Sequence, residues 1–164
     1  MGVALQRVTI DECEKLHKMQ TLGFAALLAK YQDFDTSPGA ETLEKVRQRF
    51  ENPAAGQFWI QLGTEKIGYI RIYENVGFVR EYTAEENVCR LAMMFILPAF
   101  QGHGYAQQAM RLAEAKYPQA RAWELDTIKQ EAKLRHLYEK MGYRPAGTEH
   151  NIKPDMDLVD YVKP

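Results

Sequence analysis

The sequence predicts an α/β protein, a mixed three-layer α/β/α sandwich. Three observations predict it. Residues 58–73 alternate like a hairpin, with Phe58, Ile60 and Leu62 on one face and a turn at Gly63-Thr64-Glu65-Lys66. Val88 to Leu97 is nearly all apolar after Arg90, as a central strand covered on both faces must be. Helical periodicity recurs before and after these strands.

The elements follow in order. Residues 2–8 read as a first strand. Thr9-Ile10-Asp11-Glu12 is a capping-box pattern that opens a helix running to about Lys30, with an interruption expected near Gly23. Tyr31 to Gly39 is a loop with Ser37-Pro38-Gly39 as its turn signal. Leu43, Val46 and Phe50 share one face of a second helix, stopped by Asn52-Pro53-Ala54-Ala55-Gly56. Ile67 to Tyr73 returns as the hairpin's partner strand. Phe78 to Tyr82 extends this meander, and Thr83 to Asn87 is a polar turn. A helix is expected from about Gly104, with Ala106, Ala109, Met110, Ala113 and Tyr117 as its core face. A strand at Ala122 to Thr127 and a helix from about Gln130 to Met141 come next. Leu134, Leu137, Tyr138 and Met141 form that helix's apolar stripe, and Gly142 is its C-terminal stop. Terminal strands are expected at 143–150 and 155–162. The strand–helix–strand unit across 88–127 implies a parallel crossover of right-handed type.

A chain of 164 residues suits one domain with its own core. With 46% hydrophobic and 26% charged residues it has ordinary globular usage. A net charge of −1 gives no basic field for nucleic acid. The apolar runs are too short to cross a bilayer, so no membrane partner is expected. Cys13 and Cys89 lack metal spacing, and His17, His103, His136 and His150 form no metal cluster, so no metal is expected. Two thiols without a signal segment point to a cytoplasmic protein.

The chemistry concentrates in Phe95-Ile96-Leu97-Pro98-Ala99-Phe100-Gln101-Gly102-His103-Gly104-Tyr105-Ala106. An apolar strand ends at a proline, a loop with two glycines follows, and a helix then starts. Gly102 and Gly104 let the backbone turn tightly and approach a ligand. The helix N-terminus offers unpaired N–H groups and a positive dipole end, which suit a phosphate or pyrophosphate; taken alone, the segment reads equally as an ordinary strand-to-helix loop. A Walker loop is excluded, because no Gly-Lys-Ser/Thr follows. A Rossmann fingerprint is excluded too, because its third glycine would fall at Gln107.

Gln101-Gly102-His103-Gly104-Tyr105-Ala106 resembles the Arg/Gln-x-x-Gly-x-Gly/Ala signature of the GNAT superfamily of N-acetyltransferases. Downstream, Leu137-Tyr138-Glu139-Lys140-Met141-Gly142-Tyr143 resembles the family's Leu-Tyr-x-x-x-Gly-Phe/Tyr motif. The motif resemblance covers roughly residues 88–145; outside that range it is one of topology. It implies a single N-acetyltransferase domain over 1–164, of the GNAT acyl-CoA N-acyltransferase type, with a central sheet whose strands splay. It also implies acetyl-CoA as cosubstrate. Pantetheine would lie in the splay against backbone groups of Phe95, Ile96 and Leu97. The pyrophosphate would sit on the N–H groups of Gly102, His103, Gly104, Tyr105 and Ala106, within the loop that Gln101 opens. The implied acceptor is a primary amine of a small molecule or peptide, and the chain is expected to be a monomer or homodimer. An acyl-CoA sensor or an interaction module on the same fold are the alternatives.

By the same resemblance Tyr138 is the catalytic acid that protonates the departing thiolate. Its place on an apolar helix face also suits a core residue. The strand from Arg90 to Leu97 carries no carboxylate, so the base must come from elsewhere. Glu74, Glu124 and Asp126 are the candidates, each equally readable as a solvated or paired surface acid. His103 occupies a variable motif position, and His136 points off the apolar face. Glu131 stands where many family members place an asparagine that contacts pantetheine. Acceptor specificity would fall to about residues 20–40 and 73–87. There Tyr31, Phe34, Tyr73 and Tyr82 could shape an aromatic pocket, and Asp33, Asp35, Glu81, Glu85 and Glu86 could attract a cation; both sets also read as ordinary loop composition.

Overall fold

The computed structural model describes residues 2–75 and 87–164. The expected strand at Phe78 to Tyr82, most of the turn at 83–87, and Glu81, Tyr82, Glu85 and Glu86 lie outside the described residues. The strands are β1 (Val3–Arg7), β2 (Ala55–Leu62), β3 (Glu65–Tyr73), β4 (Val88–Ile96), β5 (Ala122–Ile128), β6 (Arg144–Lys153) and β7 (Met156–Lys163). The helices are α1 (Cys13–Gly23), α2 (Ala25–Tyr31), α3 (Leu43–Gln48), α4 (Tyr105–Lys116) and α5 (Ala132–Lys140). The strands form one mixed sheet in the order β1-β2-β3-β4-β5-β7-β6. The fold class is therefore the α/β one that the sequence predicts.

Two compact units divide the chain. The first holds the residues up to Arg71 together with Met93–Lys116; the second holds the described parts of Ile72–Ala92 together with Tyr117–Pro164.

In the first unit β1 pairs antiparallel with β2, from Val3↔Leu62 to Arg7↔Phe58. Its core gathers Val8, Cys13, Leu16, Met19, Val46, Trp59, Tyr69, Met93 and Phe95. Phe95 is the centre of this cluster. Its ring meets Phe24 edge-on at 5.7 Å and Tyr69 at 5.9 Å. Two glycines make room for it. A Cβ on Gly23 would lie 2.6 Å from the Phe95 ring, and one on Gly68 would lie 2.2 Å from the Phe95 carbonyl oxygen. No side chain fits at either place. This explains the helix break expected near Gly23: α1 ends at the residue that must yield to Phe95, and α2 restarts one residue after Phe24.

The capping box at Thr9 is present, but it opens a 3₁₀ turn over Ile10–Glu12 that then runs into α1. Glu12 accepts from the Thr9 backbone N–H at 3.0 Å and is paired with Lys66 of β3. Burial pushes the Glu12 carboxyl up, but Lys66 and the Thr9 N–H outweigh it and hold the carboxyl at about 2, down from its ordinary 4.5. β2 starts at Ala55, inside the stretch read as a helix stop.

In the second unit β4 pairs parallel with β5 through Val88↔Ala122, Cys89↔Trp123 and Arg90↔Glu124. That ladder stops there although both strands continue, which is the splay implied by the sequence. β7 lies antiparallel between β5 and β6, with Asp126 directly opposite Asp160. Gly142 takes φ +97°, the left-handed stop expected after the last helix. No helix among the described residues is long and apolar enough to cross a membrane.

Glu12→Gln is expected to lower stability by about 1 kcal/mol at pH 7, since it removes a charged but partly solvated hydrogen-bonding partner. A depressed carboxyl pKa contributes stability above 4.5 and loses it as pH falls through about 2. Denaturant melts of both proteins should therefore differ at pH 7 and converge near pH 2. An equal gap at both pH values would show that the charge is not what matters.

Candidate active site

Leu97 leaves β4 and Pro98 starts a single 3₁₀ turn over Pro98–Phe100. Proline suits this first turn because its missing N–H would be unpaired anyway. The chain then passes through Gly102 at φ +80° and Gly104 at φ +79° into α4. Both angles lie in the region that L side chains rarely adopt. A Cβ on either glycine would meet no protein atom within 4 Å. The space over the loop is open.

The hydrogen bonds of this segment divide its backbone sharply. Phe100 N–H donates to Leu97 O at 2.9 Å, and Gln101 N–H donates to Pro98 O at 3.3 Å. The next backbone N–H to find a partner is that of Gln108, on Gly104 O. From Gly102 to Gln107 the N–H groups have no partner among the described residues. This run of open donors at the head of a 12-residue helix is a backbone anion cradle.

The other loop side chains position rather than fill the cradle. The Gln101 amide donates to Ile96 O at 2.9 Å and ties the loop to the strand end. The His103 ring lies stacked on Tyr105 at 5.5 Å. Its Nδ1 faces two carbonyls, of Phe100 at 3.2 Å and Gln101 at 2.9 Å, so that nitrogen carries a proton.

At the strand end Leu97 N–H donates to Ile67 O at 2.8 Å and Leu97 O accepts from Phe100. Both of its backbone groups are engaged. Backbone groups alternate along a strand, so the Ile96 N–H points away from β3, opposite to that of Leu97. The Phe95 carbonyl packs over Gly68. Of the three strand-end residues, Ile96 is the one whose N–H turns away from the sheet partner.

In the second unit the sequence-derived residues fall into a different setting. Tyr138 is buried on α5, and its ring meets Tyr143 edge-on at 6.2 Å. Its hydroxyl has no hydrogen-bond partner among the described residues. Burial, and then the Asp126 carboxylate, push its phenol up to about 12. It is protonated at every physiological pH.

Glu124 is not a surface acid: its side chain is 0% exposed. Arg90 explains how a carboxylate tolerates that burial. Its guanidinium donates to Glu124 at 3.3 Å and to Asp126 at 2.8 Å. Desolvation raises the Asp126 carboxyl; Arg90 pulls it down, Asp160 raises it and His150 lowers it, and the balance leaves it above the ordinary range. Glu74 is exposed just beyond β3. Burial, then the charge of Glu74, push the Cys89 thiol up to about 11. Glu131 stands at the N-cap of α5, and His136 is exposed on that helix.

Of the residues expected to shape the acceptor site, Tyr31 is buried, while Phe34 and Asp35 are exposed. Asp33 is buried and spends its carboxylate on its own turn, accepting from the N–H groups of Asp35 and Thr36 and from the Thr36 hydroxyl. The sequence leaves Asp33 open between a cation attractor and ordinary loop composition, and its spacing to Thr36 is the signal for the local turn it makes. Sequence reasoning also missed Asp160 and its partners Thr148 and His150, which meet only through the β6–β7 register. Among the described residues no group of His, Cys, Asp or Glu is placed to hold a metal.

The mixed sheet, and a strand–glycine loop–helix segment with open backbone N–H groups, are features of an acyltransferase. The chain belongs to the GNAT family of acetyltransferases, whose family model matches residues 23–143, and is an acetyl-CoA-dependent acyltransferase. The fold is similar to that of an acetyltransferase from Thermus thermophilus, with a TM-score of 0.75 at 22% identity, over 100% of this chain and 97% of that one. It is also similar to AAC(6')-Ib in complex with ribostamycin and coenzyme A, with a TM-score of 0.75 at 18% identity, over 99% and 93% of the two chains. Spermidine N-acetyltransferase from Vibrio cholerae, in complex with CoA and spermine, gives a TM-score of 0.71 at 16% identity, over 98% and 94%. No curated protein sequence matches the chain.

Both cysteines are buried, and at pH 8 a thiol titrating near 11 is about one part in a thousand thiolate. Native protein treated with iodoacetamide at pH 8 should therefore show no adduct at Cys89 by mass spectrometry. The same treatment in denaturant should modify it fully. Rapid native labelling would mean that this strand opens readily.

Proposed function

We propose that the protein transfers the acetyl group of acetyl-CoA to a primary amine of a small molecule or peptide, by direct attack in a ternary complex. The observation that carries this is the run of open N–H groups from Gly102 to Gln107 behind two left-handed glycines. They hold the pyrophosphate, with no lysine or arginine needed in the loop. The Ile96 N–H supplies a donor for the pantetheine arm or for the acetyl oxygen as the tetrahedral intermediate forms. That aminoglycoside and polyamine acetyltransferases share the fold supports a small polybasic amine as acceptor.

The amine nitrogen attacks the acetyl carbonyl carbon, a C–N bond forms, and the C–S bond breaks. Tyr138 is the donor to the departing sulfur. Its raised pKa constrains how it does so. A full transfer from a phenol near 12 to a thiolate whose acid titrates at about 8.5 would run uphill by roughly 5 kcal/mol. The phenol therefore works as a relay. It gives its proton to sulfur while recovering one from the new N–H⁺, so that no phenolate accumulates beside Asp126.

Two outcomes test this reading. Asparagine tolerates the left-handed backbone better than other L residues, and its side chain at position 104 would enter the open space over the loop. Gly104→Asn should weaken acetyl-CoA binding at least tenfold by calorimetry, roughly 1.4 kcal/mol, with the fold kept. Unchanged affinity would remove the cradle. Tyr138→Phe keeps the ring in its packing and removes the donor. Its kcat should fall by roughly 10²-fold, with cofactor affinity and Tm little changed. A kcat near wild type would leave Tyr138 as a core residue.

A further inference from the structure

We propose that His150, oriented by Asp160, is the group that takes the proton from the acceptor ammonium; this rests on the amine-acetylation reading above. Four strands bring the necessary parts into one row. Arg90 comes from β4, Glu124 and Asp126 from β5, Asp160 from β7, and Thr148 with His150 from β6.

The Asp160 side chain is only 9% exposed, so its carboxylate needs protein partners. Its Oδ2 accepts from the Thr148 hydroxyl and from His150 Nε2, the latter at 3.0 Å. A carboxylate only accepts, so Nε2 carries the proton. In the neutral ring Nδ1 is then the nitrogen with a free lone pair. The His150 side chain is 58% exposed, which leaves that nitrogen open to a substrate. Buried carboxylate, oriented imidazole and solvent-facing lone pair together make a base with a fixed tautomer.

The row also sets two carboxylates against each other. Asp126 and Asp160 face each other across the β5–β7 ladder, a like-charge pair that a sheet ordinarily avoids. Arg90 is committed to Glu124 and Asp126. Asp126 also acts on the Tyr138 phenol, so the acid and the proposed base share one electrostatic neighbourhood in this unit. The other carboxylates are less suited. Glu124 is sealed in with Arg90, and Glu74 has no orienting hydrogen bond among the described residues.

The step balances. R–NH₃⁺ gives one proton to His150 Nδ1 and becomes R–NH₂, which attacks the acetyl carbon. The second nitrogen proton passes through Tyr138 to the sulfur as the C–S bond breaks. The imidazolium then returns its proton to water, so the net products are the amide, coenzyme A and one H⁺.

His150→Gln and Asp160→Asn test this, with thiol release from acetyl-CoA followed against spermidine, spermine and ribostamycin. His150→Gln keeps an amide donor for Asp160 but has no base. At pH 7 its kcat/KM for the amine should fall about 10²-fold, with acetyl-CoA affinity unchanged by calorimetry. The deficit should shrink as pH rises toward the amine's own pKa, where bulk water supplies the free amine. Asp160→Asn should show a smaller deficit with the same pH trend, and it stands as the test if His150→Gln fails to fold. A deficit that is equal at every pH, or a rate within threefold of wild type, overturns the assignment of His150 alone. A wild type that binds acetyl-CoA but acetylates no amine overturns the amine-acetylation reading and this base with it.

Discussion

The packing of Phe95 between Gly23 and Gly68 is the constraint on which the cofactor half of the site depends. The ring fills the core beside Phe24 and Tyr69, and the carbonyl presses on a strand that has no Cβ to oppose it. Both contacts are sterically saturated, so Phe95 cannot slide along the strand or rotate out without opening a cavity. Loss of a buried aromatic of this kind costs about 3–5 kcal/mol. With Phe95 fixed, the next residues have no freedom either. Ile96 and Leu97 must leave the sheet at one place, and the Leu97–Ile67 and Gln101–Ile96 bonds hold the turn that follows. The cradle is thus positioned by a core residue several positions before it. Its donors are set before any ligand arrives, which removes the ordering cost that a flexible phosphate loop would impose.

The second unit works by the opposite means. Where the loop uses backbone dipoles and no formal charge, the row from Arg90 to His150 uses formal charges at close quarters. Arg90 reaches the fully buried Glu124, and breaking a buried ion pair by removing one partner costs about 3–5 kcal/mol. Arg90 therefore has a structural task that fixes its place, and Asp126 inherits whatever charge is left over. Burial raises both the Asp126 carboxyl and the Tyr138 phenol, and the Asp126 charge adds to the rise at Tyr138.

What was legible in the sequence and what was not follows from the range of the interactions. The strand, proline, glycine loop and helix of 88–116 were readable because each signal is local: an apolar run, a residue without an N–H, two residues without a Cβ. The break near Gly23 was readable for the same reason, but its cause was not, since Phe95 lies far along the chain. The burial of Glu124 was not readable. Its neighbours Trp123 and Leu125 alternate with it, as on any half-exposed strand, and only the partner strand reveals that both faces are covered. Asp33 stays open in the sequence because a turn-forming carboxylate and a substrate-binding one look alike in composition. Asp160, Thr148 and His150 were invisible as a group, because a shift of one residue in the β6–β7 register would put them on opposite faces.

The register also explains why the acceptor half of such a site can change while the fold persists. The cradle residues are bound to the core through Phe95, and substitution there carries a packing penalty. The β6 side of the row has no comparable tie: His150 is mostly exposed and Thr148 touches Asp160 through one hydroxyl. Replacing either changes a hydrogen bond to Asp160 while leaving the ladder pairs in place. A site built in this way keeps its acyl donor under strong steric constraint and its acceptor chemistry under weak constraint.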